Sequence, residues 1–329
     1  MAKEIVINEL RCISDGQFSK VFHGTYDGIP IAVKRICVET ILSQDEFQRF
    51  HYLDSPEQSQ RPHRQVSFVR EESALIQLSH PNVVKLFAVK DEHPFRCFAM
   101  ELCTTSLHQY CQDFNRKLPV GLPPMPSDAT VLLDIIRGLR YVHFMGLAHR
   151  NIHPKNILIS SSLPVVIKLA GFRLSKPVND RGSHSISRSD GSVCYKAPEM
   201  LVDNPDKRGS IASDTFSAGL VFFFFLSKGF HLFGSNSIRI RANIVSLVQP
   251  NEDNDGREAN GVNWDKLPDV QMHFEALIKS MIKPVPGDRV RLCDVESILN
   301  EIVGVPMDEP RPQHILQQEE ESDSFDYRM

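Results

Sequence analysis

Paired cysteine motifs, long apolar runs and an excess of positive charge are all missing from this chain of 329 residues. Its seven cysteines, Cys12, Cys37, Cys97, Cys103, Cys111, Cys194 and Cys293, are odd in number and scattered. None forms a C-x-x-C pair suited to zinc or redox work. A reducing compartment, the cytoplasm, is the expectation. The strongest apolar run, Ala218 to Leu226, is far too short to span a bilayer, and the start MAKEIVINEL lacks the apolar core of a secretory leader. No membrane span is expected, and VFFFFL reads as a buried helix or strand. A formal net charge of -4 supplies no basic field for nucleic acid, so small molecules and proteins are the expected partners.

What is present is enough apolar content, 41% of residues, to bury a full core. The first hundred residues alternate short β-rich runs with turn signals: IVINEL, KVFHGTY closed by Asp27-Gly28, IPIAVKRI, VVKLFAV and FRCFAMEL. This pattern predicts a mainly antiparallel sheet. Within it, Ser67 to Leu78 carries Phe68, Leu75, Ile76 and Leu78 at helical spacing, leaving Arg70, Glu71 and Glu72 for a polar face. From Ser106 onward the periodicity turns helical, as in TVLLDIIRGLRYVHFMG, SDTFSAGLVFFFFLSKG and MHFEALIKSMI. The fold class expected is α+β, a small antiparallel β lobe with one helix followed by a larger, mainly helical lobe. Leu42 to Gln65 is polar with two prolines and reads as an inserted surface loop, and the acidic stretch 304–329 as a disordered tail.

Several segments carry chemistry. ISDGQFSKV, from Ile13 to Val21, lies between two expected strands and keeps one glycine, Gly16; alone it would pass for a plain hairpin. Ala32-Val33-Lys34 places a lysine in a strand, and Glu71 is a carboxylate on the following helix. HRNIHPKNIL runs from His149 to Leu158 and IKLAGFRLSK from Ile167 to Lys176. Ala197-Pro198-Glu199, Asp214-Thr215-Phe216-Ser217-Ala218-Gly219 and Arg289 complete the series.

In this order the segments resemble a eukaryotic protein kinase over about residues 5 to 303. The resemblance implies a kinase-like domain over 1–303, with an N-terminal lobe of about 5–100, a hinge at 101–105 and a C-terminal lobe at 106–303. It assigns the nucleotide seat to Ile13, Ser14, Gly16, Val21, Ala32, Lys34, Glu71, Met100, Glu101 and Cys103. Lys34 pairs with Glu71, Met100 is the gatekeeper, and Glu101 to Cys103 is the hinge. Where the family's catalytic loop carries a proton-accepting aspartate this chain has Asn151, and His153 replaces the loop lysine. An amide has no titratable acceptor, so Asn151 orients a hydroxyl without taking its proton. Gly171 replaces the metal-binding aspartate, leaving Asn156 as a lone neutral ligand for Mg²⁺, a cation that prefers carboxylate and phosphate oxygens. ATP is the ligand implied; firm Mg²⁺ binding is not expected. Glu199 and Arg289 are expected to pair and hold the activation segment.

FAMELCTTSLHQY, HSISRS and SDTFSAGLVFFFFLSKGFHLFG look like the kinase part of the inositol-requiring kinase-endoribonucleases of the unfolded protein response. The residues after Arg289 are too few for a ribonuclease module, so RNA cleavage is not expected here. In that family the activation-segment serines are phosphorylated, and Ser185, Ser187 and Ser189 occupy the matching places near Arg181 and Arg188. A flexible polar loop is the bland alternative. Three functions stay open: a pseudokinase that binds nucleotide or a signalling partner, a homodimer among the arrangements implied; a weakly active serine/threonine kinase; and a scaffold that binds no nucleotide. Restoring both lost carboxylates, Asn151→Asp with Gly171→Asp, is expected to rebuild transfer if the remaining frame is poised for it.

Overall fold

The computed structural model describes residues 4–16, 19–37, 63–114, 124–179, 181–185, 192–202, 208–248 and 262–304. Most of the 42–65 stretch, the tail beyond 304, Arg188, Ser187 and Ser189 lie outside them.

The sheet expected from the first hundred residues forms. Strands β1 (Ile5–Asp15), β2 (Lys20–Tyr26), β3 (Ile29–Cys37), β4 (Leu86–Glu92) and β5 (Phe95–Glu101) pair antiparallel in the order β1-β2-β3-β5-β4. The β2–β3 hairpin turns on Asp27 and Gly28, whose φ angles of 53° and 77° are those a two-residue turn requires. Because side chains alternate along a strand, β3 sends Ile31 and Val33 to one face, where they bury with Ile5, Cys97 and Ala99. Ala32 and Lys34 fall on the other. Helix α1 (His63–Gln77) lies between β3 and β4 in sequence. It begins four residues ahead of the expected Ser67, so the last three residues of the stretch read as an inserted loop are helical.

From there the chain runs through β6 (Cys103–Ser106), α2 (Leu107–Phe114), α3 (Asp128–Phe144), β7 (Leu147–Ala148), β8 (Ile157–Ser160) and β9 (Ile167–Leu169). It continues through β10 (Lys176–Pro177), β11 (Ser183–Ser185), α4 (Pro198–Leu201), β12 (Arg208–Ser210), α5 (Ile211–Leu226), α6 (Ser237–Ser246), α7 (Glu275–Met281) and α8 (Leu292–Val303). Two compact units result. One is Met1–Met125 with Pro154–Ser175, and the other is Pro126–His153 with Lys176–Met329.

The first unit adds the three-stranded sheet β6-β8-β9 to the five-stranded one. The second is built around α5, in which every residue from Ser213 to Leu226 is buried. A helix apolar on all sides has to be central, and α5 packs against α3 and α7 while α8 packs on α3. VFFFFL is thus a buried helix, and among the described residues no helix is long and apolar enough to cross a membrane. The architecture is α+β, an antiparallel sheet lobe and a helical lobe.

Candidate functional site

In the first unit, Lys34 Nζ donates to both carboxylate oxygens of Glu71 at 2.6 Å, with side-chain exposures of 15% and 3%. The β3 register sets Lys34 opposite Val21 on one side and Phe98 on the other, on the face away from Ile31 and Val33, where it meets Glu71 of α1. The next residue of the helix is fastened elsewhere. Glu72 accepts from Arg96 Nε at 3.0 Å and Nη2 at 2.7 Å, while Arg96 Nη1 reaches Asp91 at 2.6 Å. Adjacent glutamates therefore tie α1 to two different strands, β3 and β5.

Ser14 stands opposite Val21, Gly16 N donates to Ser19 O at 3.0 Å, and Lys20 Nζ donates to Asp15 at 2.8 Å. A phosphate cradle needs free loop amides, and here the amide of the one retained glycine is directed into the hairpin. Ile13 is exposed at the end of β1.

Along the expected hinge, Met100 lies opposite Ala32, which is buried. Glu101 accepts from the amide of Lys85 at 3.3 Å and pairs with Lys168 at 3.1 Å, so its side chain serves the strand leading to Gly171. Burial, reinforced by the neighbouring Glu101 charge, pushes the Cys103 thiol up to about 12, which keeps it neutral and a poor nucleophile. Gly171 adopts φ 81° and ψ 46°, and an ideal Cβ built there would stand 2.4 Å from Asn156 Cγ. Among the described residues no group of three or more His, Cys, Asp or Glu side chains stands together to hold a metal ion. With a glycine at one position and a neutral amide folded against it at the other, these residues do not fit Mg²⁺.

In the second unit, Asn151 N donates to His149 Nδ1 at 3.3 Å. The ring of His153 lies 6.3 Å from that of Tyr195, centroid to centroid. The loop before them is held from below by Asp214, which accepts from the amides of His149 and Arg150 at 2.8 Å each and bonds His143 Nε2 at 2.9 Å. Burial works to raise the pKa of this carboxyl, but the His143 contact and the backbone donors outweigh it and hold the group below its ordinary value. The backbone at Arg150, φ 64°, is left-handed, a strain the surrounding bonds sustain.

Beyond the loop, Arg289 and Glu199 form the expected pair. Nη1 and Nη2 reach the two carboxylate oxygens at 2.8 and 2.7 Å, and the guanidinium also donates to the carbonyls of Ala212, Lys283 and Pro284. His231 adds a second fastening. Its Nδ1 accepts from Phe233 N at 3.1 Å, so Nε2 carries the hydrogen and donates to Cys194 O at 2.9 Å. Burial lowers its pKa to about 4. Ser217 donates to Tyr195 O at 2.6 Å. Of the expected phosphosites, Ser185 is described by its backbone alone, which pairs with Arg208 in the β11–β12 ribbon.

Sequence reasoning missed Lys168, Arg96 and His231. Lys168 left a signal, for a cation between Ile167 and Leu169 in a buried strand demands an acceptor nearby. The other two depend on tertiary register, which no local pattern encodes.

Known proteins extend this picture. The chain is 30% identical over 236 residues to the serine/threonine-protein kinase/endoribonuclease ire-1 of Caenorhabditis elegans, a match covering 69% of this chain and 21% of that protein. It is 34% identical over 236 residues to the human protein IRE2 of the same description, covering 69% of this chain and 22% of that one. Its identity to ireA of Aspergillus fumigatus is 27% over 331 residues, covering 87% and 25%. The chain thus spans about a fifth to a quarter of the length of these relatives. The protein kinase domain family matches residues 7–301, nearly the whole of the sheet and helical lobes described above, and the chain belongs to that family.

Proposed function

We propose that this protein is a pseudokinase, a nucleotide-binding or scaffolding regulator that acts on a cytoplasmic signalling partner through its conformation. The observation that carries the reading is the contrast between a formed Lys34–Glu71 pair and the replacement of both carboxylates that chemistry would need, at Asn151 and Gly171. Phosphoryl transfer depends on charge neutralisation and on placement of the attacking hydroxyl, and each loss removes a term of orders of magnitude in rate. Lys34 would meet the phosphates of ATP, with Ala32, Met100 and the hinge backbone at Glu101 and Cys103 around the base. The inward-turned Gly16 amide weakens that hold without removing the lysine.

A second reading, a weakly active serine/threonine kinase, is favoured by the names of the relatives and by the same ion pair. Thermal unfolding with ATP, in Mg²⁺ and in chelator, tests both, since a ligand of the folded state raises its stability. A rise in melting temperature in both conditions, with no phosphate transferred to a generic protein substrate, is the expected result. A rise confined to Mg²⁺, accompanied by turnover, would replace the pseudokinase with the kinase. No rise at saturating ATP would leave the scaffold that binds partners alone.

A further inference from the structure

Gly171 lacks a side chain, and the space where one would begin is filled from a neighbouring turn. A Cβ built on it would lie 2.4 Å from both Cγ and Nδ2 of Asn156 and 2.5 Å from its Oδ1. Non-bonded heavy atoms settle at about 3.5–4.0 Å, so any side chain at 171 and the present Asn156 amide exclude each other. The backbone offers no escape. Ala170 N donates to Asn156 O at 2.9 Å, and Ile157 pairs with Leu169 in the β8–β9 ladder, so the residues flanking the two positions are held in register. Only rotation of the Asn156 side chain relieves the overlap. Both residues belong to the same compact unit.

We infer that Gly171 and Asn156 form an interlocked pair, in which the asparagine amide sits where the side chain of the family's metal-binding residue would emerge. The seat is occupied by the protein itself. This inference rests on the pseudokinase reading for what the seat once served, but not for whether it is filled. It has two consequences. Nucleotide phosphates meet Lys34 without a divalent ion, so binding is indifferent to Mg²⁺. Restoring Gly171→Asp, with or without Asn151→Asp, also leaves the new carboxylate competing with Asn156, so the two-site restoration expected from sequence is incomplete without a change at 156.

A stability cycle on the full chain decides the matter. Gly171→Ala, Asn156→Ala and the double variant are compared by thermal unfolding; the left-handed backbone strain at 171 is common to both proteins carrying the Gly171 substitution and cancels. Gly171→Ala is expected to lower the melting temperature by about 2 °C more beside the native Asn156 than in the Asn156→Ala background, the difference being the cost of turning the Asn156 amide aside. Equal falls in the two backgrounds overturn the interlock. Should Gly171→Ala fail to fold, recovery of folded protein by the double variant supports the pair, and failure of both overturns it. In parallel, binding of trinitrophenyl-ATP to the unaltered protein is measured in Mg²⁺ and in chelator. Affinities within about twofold are expected, and a tenfold preference for Mg²⁺ overturns the metal-free seat. Absence of binding in both conditions would remove the nucleotide from the proposed function, while the stability cycle still settles whether 156 and 171 interlock.

Discussion

The Glu199–Arg289 anchor and the stretch carrying Asn151, His153 and Gly171 differ in how much charge they hold. At the anchor, Arg289 has a side chain with no exposed surface and acceptors for its whole guanidinium, and Asp214 has three donors. At the positions that the resemblance makes catalytic, this chain carries Asn151, His153 and Gly171. The difference is one of cost. An unpaired charge in a buried network destabilises the folded state directly, whereas a carboxylate held ready for chemistry stabilises only a transition state. On the proposed pseudokinase reading, the first kind is kept and the second is lost.

The largest effect expected from this contrast is at Arg289. Arg289→Leu leaves Glu199 half-buried without its partner and should cost about 4–5 kcal/mol in urea unfolding. A cost under about 1 kcal/mol would show that the anchor is dispensable. Lys34→Met strands Glu71, 2% exposed, and should cost about 3 kcal/mol while also abolishing any nucleotide-induced shift. Loss of the shift alone would move this pair from the structural side of the comparison to the functional side.

His231 sharpens the contrast through pH. Its proton is bound near pH 6.5 in the unfolded chain but only near 4 in the folded one. The unfolded state takes up the proton first as pH falls, so its contribution is intact above 6.5 and declines toward 4. Between pH 7 and 4.5 the native protein should lose roughly 2–3 kcal/mol more stability than His231→Gln. Parallel curves would place the pH sensitivity elsewhere. The smallest effect belongs to Asn151→Asp, expected to change stability by less than about 0.5 kcal/mol and to give no turnover while Gly171 and Asn156 remain as they are.

Much of this was legible in the sequence because motif order constrains topology. The strand lysine, the helix glutamate, the phenylalanine-rich central helix and the Glu199–Arg289 pair each have a local signature and a fixed place in the series. What escaped were contacts set by side-chain rotamers and tertiary register. Nothing in DGQFS tells whether the Gly16 amide faces a phosphate or Ser19, and nothing in PKNIL tells that Asn156 leans into position 171. The glycine at 171 was visible; the nearness of the Asn156 amide to it required coordinates.

The two adjacent glutamates of α1 have a mechanical consequence. A helix fastened at one point pivots about it, and a partner can swing such a helix by pushing on its free end. With Glu71 fixed to β3 and Glu72 to β5, α1 has two attachment points a single residue apart, on strands that are themselves hydrogen-bonded neighbours. Rotation of α1 about its axis that lengthens one attachment disturbs the other, so the turn carrying Glu71 and Glu72 is held in one register on the sheet.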